Sequence, residues 1–196
     1  MQDPQIRASW PKFALRCAKR PSTENGARIL ESVPDDLRRE IREVGHLAWH
    51  HARVFRSLID IIYHVTGGDE GCRAFWRTSF KEALTQPLIA PLARGAMTMW
   101  GDSPGSLIRR THEAWVFFTR HCGSVRAVPL GDENATMLVF ENLTPACRSP
   151  SFLRMVEGGL ESELAYVHAS GTVETRAELF EANGLVEFIV RWEAKP

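Results

Sequence analysis

The rhythm of apolar positions changes near residue 122. Upstream, apolar residues recur at three- and four-residue steps, the signature of helices with one buried face. Val54, Phe55, Leu58, Ile59, Ile61 and Ile62 predict a deeply buried helix over 50–65, ended by Gly67-Gly68. Phe75, Trp76 and Phe80 predict another over 70–84, stopping before Pro87. Pro34-Asp35-Asp36 opens a helix carrying Leu37, Ile41 and Val44, because proline suits the first turn and carboxylates favour the positive end of the dipole. Gly45 is its stop. Weaker helical patterns cover 23–32 and 88–100, the second broken near Pro91. Phe13, Leu15 and Cys17 form a short first segment, and residues 1–8 read as a loose arm. Ser103-Pro104 is a cap followed by proline, leading into a helix with Leu107, Ile108, Trp115, Phe118 and Cys122 that Gly123 closes.

Downstream the period shortens to two. Residues 124–130 and 136–142 read as strands separated by Gly131-Asp132-Glu133-Asn134. Ser149-Pro150 then opens a helix with Phe152, Met155, Val156, Gly159, Leu160, Leu164 and Val167 on one side. Val173, Thr175, Ala177 and Leu179 alternate with polar residues, as do Val186, Phe188, Val190 and Trp192. Asn183-Gly184 between them carries a two-residue hairpin signal, which would set Leu179 opposite Phe188, Ala177 opposite Val190 and Thr175 opposite Trp192. Gly158-Gly159 costs about 1 kcal/mol per glycine inside a helix relative to alanine, so the pair predicts close approach by a sheet, another helix or a partner chain. The pattern is α+β: a helical N-terminal half (1–122) followed by a small antiparallel four-stranded sheet (ββαββ) with one helix packed on it (123–196). No linker divides the 196 residues, which predicts a single domain.

Composition narrows the function classes. Lys+Arg and Asp+Glu number 24 each, so the formal net charge is zero. With only a mild cluster at Arg38, Arg39 and Arg42, nothing favours nucleic acid. No window approaches the ~18 to 20 apolar residues of a membrane span, and no charged-then-apolar leader opens the chain; the expectation is a cytoplasmic protein. Cys17, Cys72, Cys122 and Cys147 lie far apart with no Cys-x-x-Cys pair, and read as buried free thiols. Asn142-Leu143-Thr144 is a sequon that a cytoplasmic chain would not use.

Three stretches could carry chemistry. Gly101-Asp102-Ser103-Pro104-Gly105 matches Gly-x-Ser-x-Gly, but the residue after the serine is proline, which has no N–H for an oxyanion hole. A helix cap is the expected role. Glu43, His46 and His50 have metal-ligand spacing, yet Gly45 interrupts the helix they would need, so no metal is expected. His112 sits among Arg109, Arg110 and Glu113, the setting of a surface histidine. The six tryptophans and ten phenylalanines build a core or line a ligand cavity, with Trp49, Phe75, Trp76 and Trp115 as the pocket candidates. No coherent catalytic set emerges.

The run Phe152-Leu-Arg-Met-Val-Glu-Gly-Gly-Leu-Glu and the ending Phe188-Ile-Val-Arg-Trp192 resemble the C-terminal unit of the superfamily of haem nitric-oxide sensors, vinyl-reductase-type ligand sensors and TRAPP subunits. With Val33-Pro34, Trp49-His50, Phe75-Trp76, Pro87, Gly101, Pro104 and Glu157-Gly158, the whole chain resembles a bacterial paralogous family related to that superfamily. The resemblance implies a non-enzymatic ligand-sensing or protein-interaction domain of a cytoplasmic bacterial regulatory system. It would work as a homodimer, take a small apolar ligand or a protein partner, and need no cofactor. The alternative it implies is a haem-based gas sensor with His112 as proximal ligand. Against that stands Phe140-Glu-Asn-Leu-Thr144, which lacks the tyrosine and arginine of the Tyr-x-Ser-x-Arg motif that clamps haem propionates. Only Cys147 lies near the position of the phenol sensors' zinc site, so zinc is not implied.

Overall fold

The structure is a computed structural model that describes residues 2–84, 90, 91, 95, 101 and 103–193. The described elements run β1 (Gln5–Arg7), α1 (Ser9–Ala18), α2 (Gly26–Ser32), α3 (Asp35–Glu43), β2 (Trp49–His51), α4 (Ala52–Val65) and α5 (Asp69–Leu84). They continue with α6 (Pro104–Arg109), α7 (Thr111–Phe118), β3 (Thr119–Arg120), β4 (Ser124–Pro129), β5 (Ala135–Glu141), a single 3-10 turn at Pro145–Cys147, and α8 (Pro150–Tyr166). The chain ends with β6 (Gly171–Arg176), the one-turn α9 (Phe180–Asn183) and β7 (Val186–Trp192). This is the α+β arrangement expected. The helix foreseen over 88–100 lies almost wholly outside the described residues.

The second half follows its local signals closely. Ser149 Oγ accepts the Phe152 N–H at 3.2 Å, with Pro150 at the first helical position, and α8 begins there. The antiparallel sheet has the order β4-β5-β7-β6, and α8 covers its apolar face. Phe152, Leu160, Phe188 and Trp192 are all buried, in one continuous core that reaches from α1 to β7. On its opposite side α8 packs on α5, and the two glycines make that contact possible. A Cβ at Gly158 would stand 2.5 Å from the carbonyl oxygen of Arg73.

The register of the last hairpin differs from the expected one. Thr175 pairs with Phe188, Val173 with Val190 and Gly171 with Trp192, because Asn183-Gly184 is not the turn. Asn183 ends α9, and Gly184 is its left-handed cap at φ +66°. Burial of Phe180 against Phe152, with ring centroids 6.5 Å apart, outweighs the tight turn. Arg148 caps the extra helical turn by donating to the carbonyls of Glu181 and Ala182, each at 3.2 Å. The displacement is four residues, an even number, so the apolar row keeps its face.

The first half holds a second sheet that the sequence pattern did not foresee. β1 pairs antiparallel with both β2 and β3, giving the order β2-β1-β3. Residues 5–7 are therefore not a loose arm: Ile6, 1 % exposed, pairs with His50 and Thr119 across the centre of this sheet. The helix expected from His50 starts two residues later, where His51 Nδ1 accepts the Arg53 N–H at 3.1 Å. The helix expected over 103–122 is split at Arg110, where the Thr111 hydroxyl donates to the Ile108 carbonyl at 2.8 Å. It gives way to β3 before Cys122.

Candidate functional site

Between the helical half and the four-stranded sheet lies a cavity of about 150 Å³. Thr111, Ala114, Trp115 and Phe118 of α7 recur at helical spacing and present one face to it. The facing wall is α8 from Met155 to Glu163, whose own stripe of Val156, Gly159, Leu160 and Glu163 repeats the same steps. Trp10 and Phe13 of α1, Phe80, Ala83 and Leu84 of α5 and Phe140 of β5 complete the described lining. The walls are held by ring packing. Trp10 stacks on Phe118 with centroids 5.1 Å apart and meets Phe80 edge-on at 5.8 Å. Trp115 meets Phe140 edge-on at 5.3 Å and spends its indole N–H on the Gly123 carbonyl at 3.2 Å.

Among the described residues, three polar side chains border this apolar space: Thr111, Ser162 and Glu163. Ser162 is fully buried, and its hydroxyl has no hydrogen-bond partner among the described residues. Glu163 is half-buried where it borders the cavity. Loss of hydration pushes it up to about 8, against a smaller opposing effect of the Thr111 hydroxyl. The carboxyl is thus mostly protonated at neutral pH. Its position was readable in principle: a glutamate three and four residues from Leu160 and Gly159 falls within the apolar stripe.

Of the aromatic residues singled out from the sequence, Trp115 lines the cavity. Trp76 packs edge-on to Phe55 at 5.7 Å and lies behind Phe80 at 5.8 Å, with Phe75 beside it in the core. Trp49 sits in β2, away from the cavity, its ring held between the guanidinium groups of Arg7 at 3.9 Å and Arg120 at 4.2 Å. His112 projects outward, with Nδ1 3.0 Å from the Arg109 carbonyl oxygen. Ser103 is a helix cap, taking the Ser106 N–H at 3.2 Å. Glu43 ends α3 and His50 lies on β2, so the spacing of Glu43, His46 and His50 does not produce one helical face. Among the described residues no group of three His, Cys, Asp or Glu side chains could hold a metal ion.

The sequence matches no protein-family model and no curated protein. The fold does have solved counterparts. A K. algicida H-NOX protein with unliganded Fe(II) aligns with a TM-score of 0.64 at 9 % identity, over 97 % of this chain and 98 % of that one. An S. oneidensis H-NOX protein in the Fe(II)NO state gives 0.64 at 12 %, over 95 % and 98 %. A third structure, from work on heme redox potential and protein-induced porphyrin distortion, gives 0.65 at 14 %, over 96 % and 100 %. The chain therefore shares the fold of haem nitric-oxide sensors, and at this identity the likeness is one of fold alone.

The cavity does not fit a haem. Haem iron is held by histidine, cysteine or tyrosine, or by methionine together with histidine, and no histidine, cysteine or tyrosine lines this space among the described residues. His112 is exposed, with its ring against the Arg109 carbonyl, and does not line the cavity. At about 150 Å³ the volume is that of an apolar cavity that takes up a benzene molecule, well below the ~300 Å³ at which pockets for drug-sized ligands begin.

Proposed function

We propose that this chain is a non-enzymatic sensing domain that takes a small apolar molecule, about one aromatic ring in size, into the cavity between α1, α5, α7 and α8. The observation that carries this reading is the cavity itself, whose described lining is apolar except at Thr111, Ser162 and Glu163. A ligand there contacts α7, which runs directly into β3 of the three-stranded sheet and is followed by β4 of the four-stranded one. Ligand contacts that differ between two positions of α7 would shift both sheets, which is the physical requirement for a sensor. The setting we propose is a cytoplasmic bacterial regulatory system, with the chain acting as a homodimer. Among the described residues no helix is long and apolar enough to cross a membrane.

The test is titration with benzene, followed by the indole resonance of Trp115. Saturable shifts in that resonance and in those of Phe118 and Leu160 are expected. An unchanged spectrum at saturating benzene would sink the small-molecule reading. A monomer mass by light scattering at tens of micromolar would remove the dimer. The haem alternative makes an opposite demand: a Soret band in the purified protein that is lost in His112→Ala.

A further inference from the structure

The polar end of the cavity has a definite proton arrangement. The Thr111 hydroxyl carries one proton and has two oxygen neighbours: the Ile108 carbonyl at 2.8 Å and Glu163 Oε2 at 3.3 Å. A carbonyl can only accept. Thr111 gives its proton chiefly to Ile108, the shorter contact, and reaches Glu163 only across the longer one. When ionised, Glu163 accepts there from Thr111; when protonated, it donates there instead, and the chain of donors then runs from Glu163 to Thr111 to Ile108. Burial favours the protonated state, and the described cavity lining from the neighbouring elements is uncharged: Trp10 of α1, Phe80 of α5, Trp115 of α7 and Phe140 of β5.

With its proton committed to Thr111, Glu163 presents Oε1 as an acceptor that no described residue satisfies. Beside it on the same wall, the fully buried Ser162 hydroxyl lacks a partner among the described residues. Buried polar groups are nearly always paired, and this unpaired hydroxyl next to the Glu163 carboxyl marks where a polar atom of a ligand belongs. We propose that the cavity selects small apolar molecules bearing one N–H or O–H donor, which the neutral carboxyl of Glu163 receives through Oε1. The proposal rests on the cavity being a ligand site and deepens that reading by naming the ligand's chemistry.

Pyrrole and furan test it, because they share shape and size while only pyrrole carries a donor. Calorimetric titration of the full chain should show pyrrole binding roughly three- to tenfold tighter than furan, the worth of one neutral hydrogen bond. Glu163→Gln keeps an acceptor oxygen and a donor for Thr111, and should preserve that ratio. Glu163→Leu should bring it to about one, since the carboxyl acceptor is gone. Equal affinity of the two rings for the wild type would overturn the donor selection while leaving the cavity a ligand site. Loss of the preference in Glu163→Gln would show that a carboxylate receives the donor, which also overturns the proposal. If neither ring binds and benzene also fails, the ligand site itself is refuted and the selection with it. Should Glu163→Leu not fold, the wild-type ratio and Glu163→Gln still decide.

Discussion

Replacing Gly158 by alanine tests the packing on which the cavity depends. The added Cβ would lie 2.5 Å from the Arg73 carbonyl oxygen, 2.8 Å from the Arg77 nitrogen and 3.0 Å from the Trp76 Cβ. The first two are backbone atoms of α5, so no side-chain rotation relieves them and the helices must separate. Arg73 is also pinned to Glu161 of α8, Nε to Oε1 at 2.7 Å, which resists sliding. Overpacking of this kind costs ~1–3 kcal/mol, and backbone obstruction places it at or above the upper end. Against this, alanine gains about 1 kcal/mol of helix propensity over glycine. The net expectation is a loss of about 2 kcal/mol, or a fall of about 1 M in the urea midpoint for a slope near 2 kcal/mol/M. Gly159→Ala is the control. Its Cβ would meet the Phe80 ring edge at 3.2 Å, and that ring can pivot toward the cavity, so strain and propensity should cancel to within about 0.5 kcal/mol. Urea denaturation of both variants at unchanged slope decides. A Gly158→Ala midpoint equal to or above wild type would refute the close helix contact.

Other consequences are measurable independently. Glu163 titrates near 8 in the folded chain against an ordinary 4.5, so the folded state holds the extra proton between those values and stability falls as pH rises through the window. Glu163→Gln should therefore gain on the wild type from about pH 4.5 to about pH 8 and hold a constant lead above it, in melting curves at pH 5, 7 and 9. Arg7 lies over Trp49 and donates to the carbonyls of Leu47 and Phe117; Arg7→Lys loses the planar stacking and should cost ~1–2 kcal/mol, seen as a melting point lower by a few degrees. Burial pushes the Cys17 thiol up to about 11 and Cys72 to about 12, and all four cysteines are buried. Ellman's reagent should leave them unmodified in the native protein and titrate four in denaturant; rapid modification at neutral pH would contradict the packing.

The parts legible in the sequence are those written in adjacent residues. Ser103-Pro104 and Ser149-Pro150 cap their helices as expected, because a cap depends on a side chain and an N–H three residues apart. β4 and β5 follow their alternation within a residue or two. The three-stranded sheet was hidden because its strands have three, three and two residues, too few for alternation to register. The Asn183-Gly184 signal was real but local, and burial of Phe180 overrode it. Aromatic spacing identified buried faces without telling whether a face meets another helix or a void: Trp76 meets side chains, Trp115 meets the cavity. Glu163 and Thr111, each inside an apolar stripe, were the misfits that mark the cavity's polar end.

Ligand size in such a fold is set by side-chain volume more than by helix placement. The helix and sheet arrangement matches haem proteins at TM-scores of 0.64 and 0.65, yet the space left here is about 150 Å³. Aromatic rings bound it: Trp10, Phe80, Trp115, Phe118 and Phe140. Truncating one should enlarge the ligand it accepts. Phe80→Ala is the suitable cut, because Phe80 makes no hydrogen bond and one side of its ring already faces the cavity. The cost should fall at the low end of the ~3–5 kcal/mol for phenylalanine-to-alanine changes. Naphthalene, too large for the native cavity, should then raise the melting point of Phe80→Ala, because a ligand bound only by the folded state stabilises it in proportion to the logarithm of its concentration over Kd. The wild type should not respond. Equal stabilisation of both proteins by naphthalene would show that these rings do not limit what enters, and the size argument would fail.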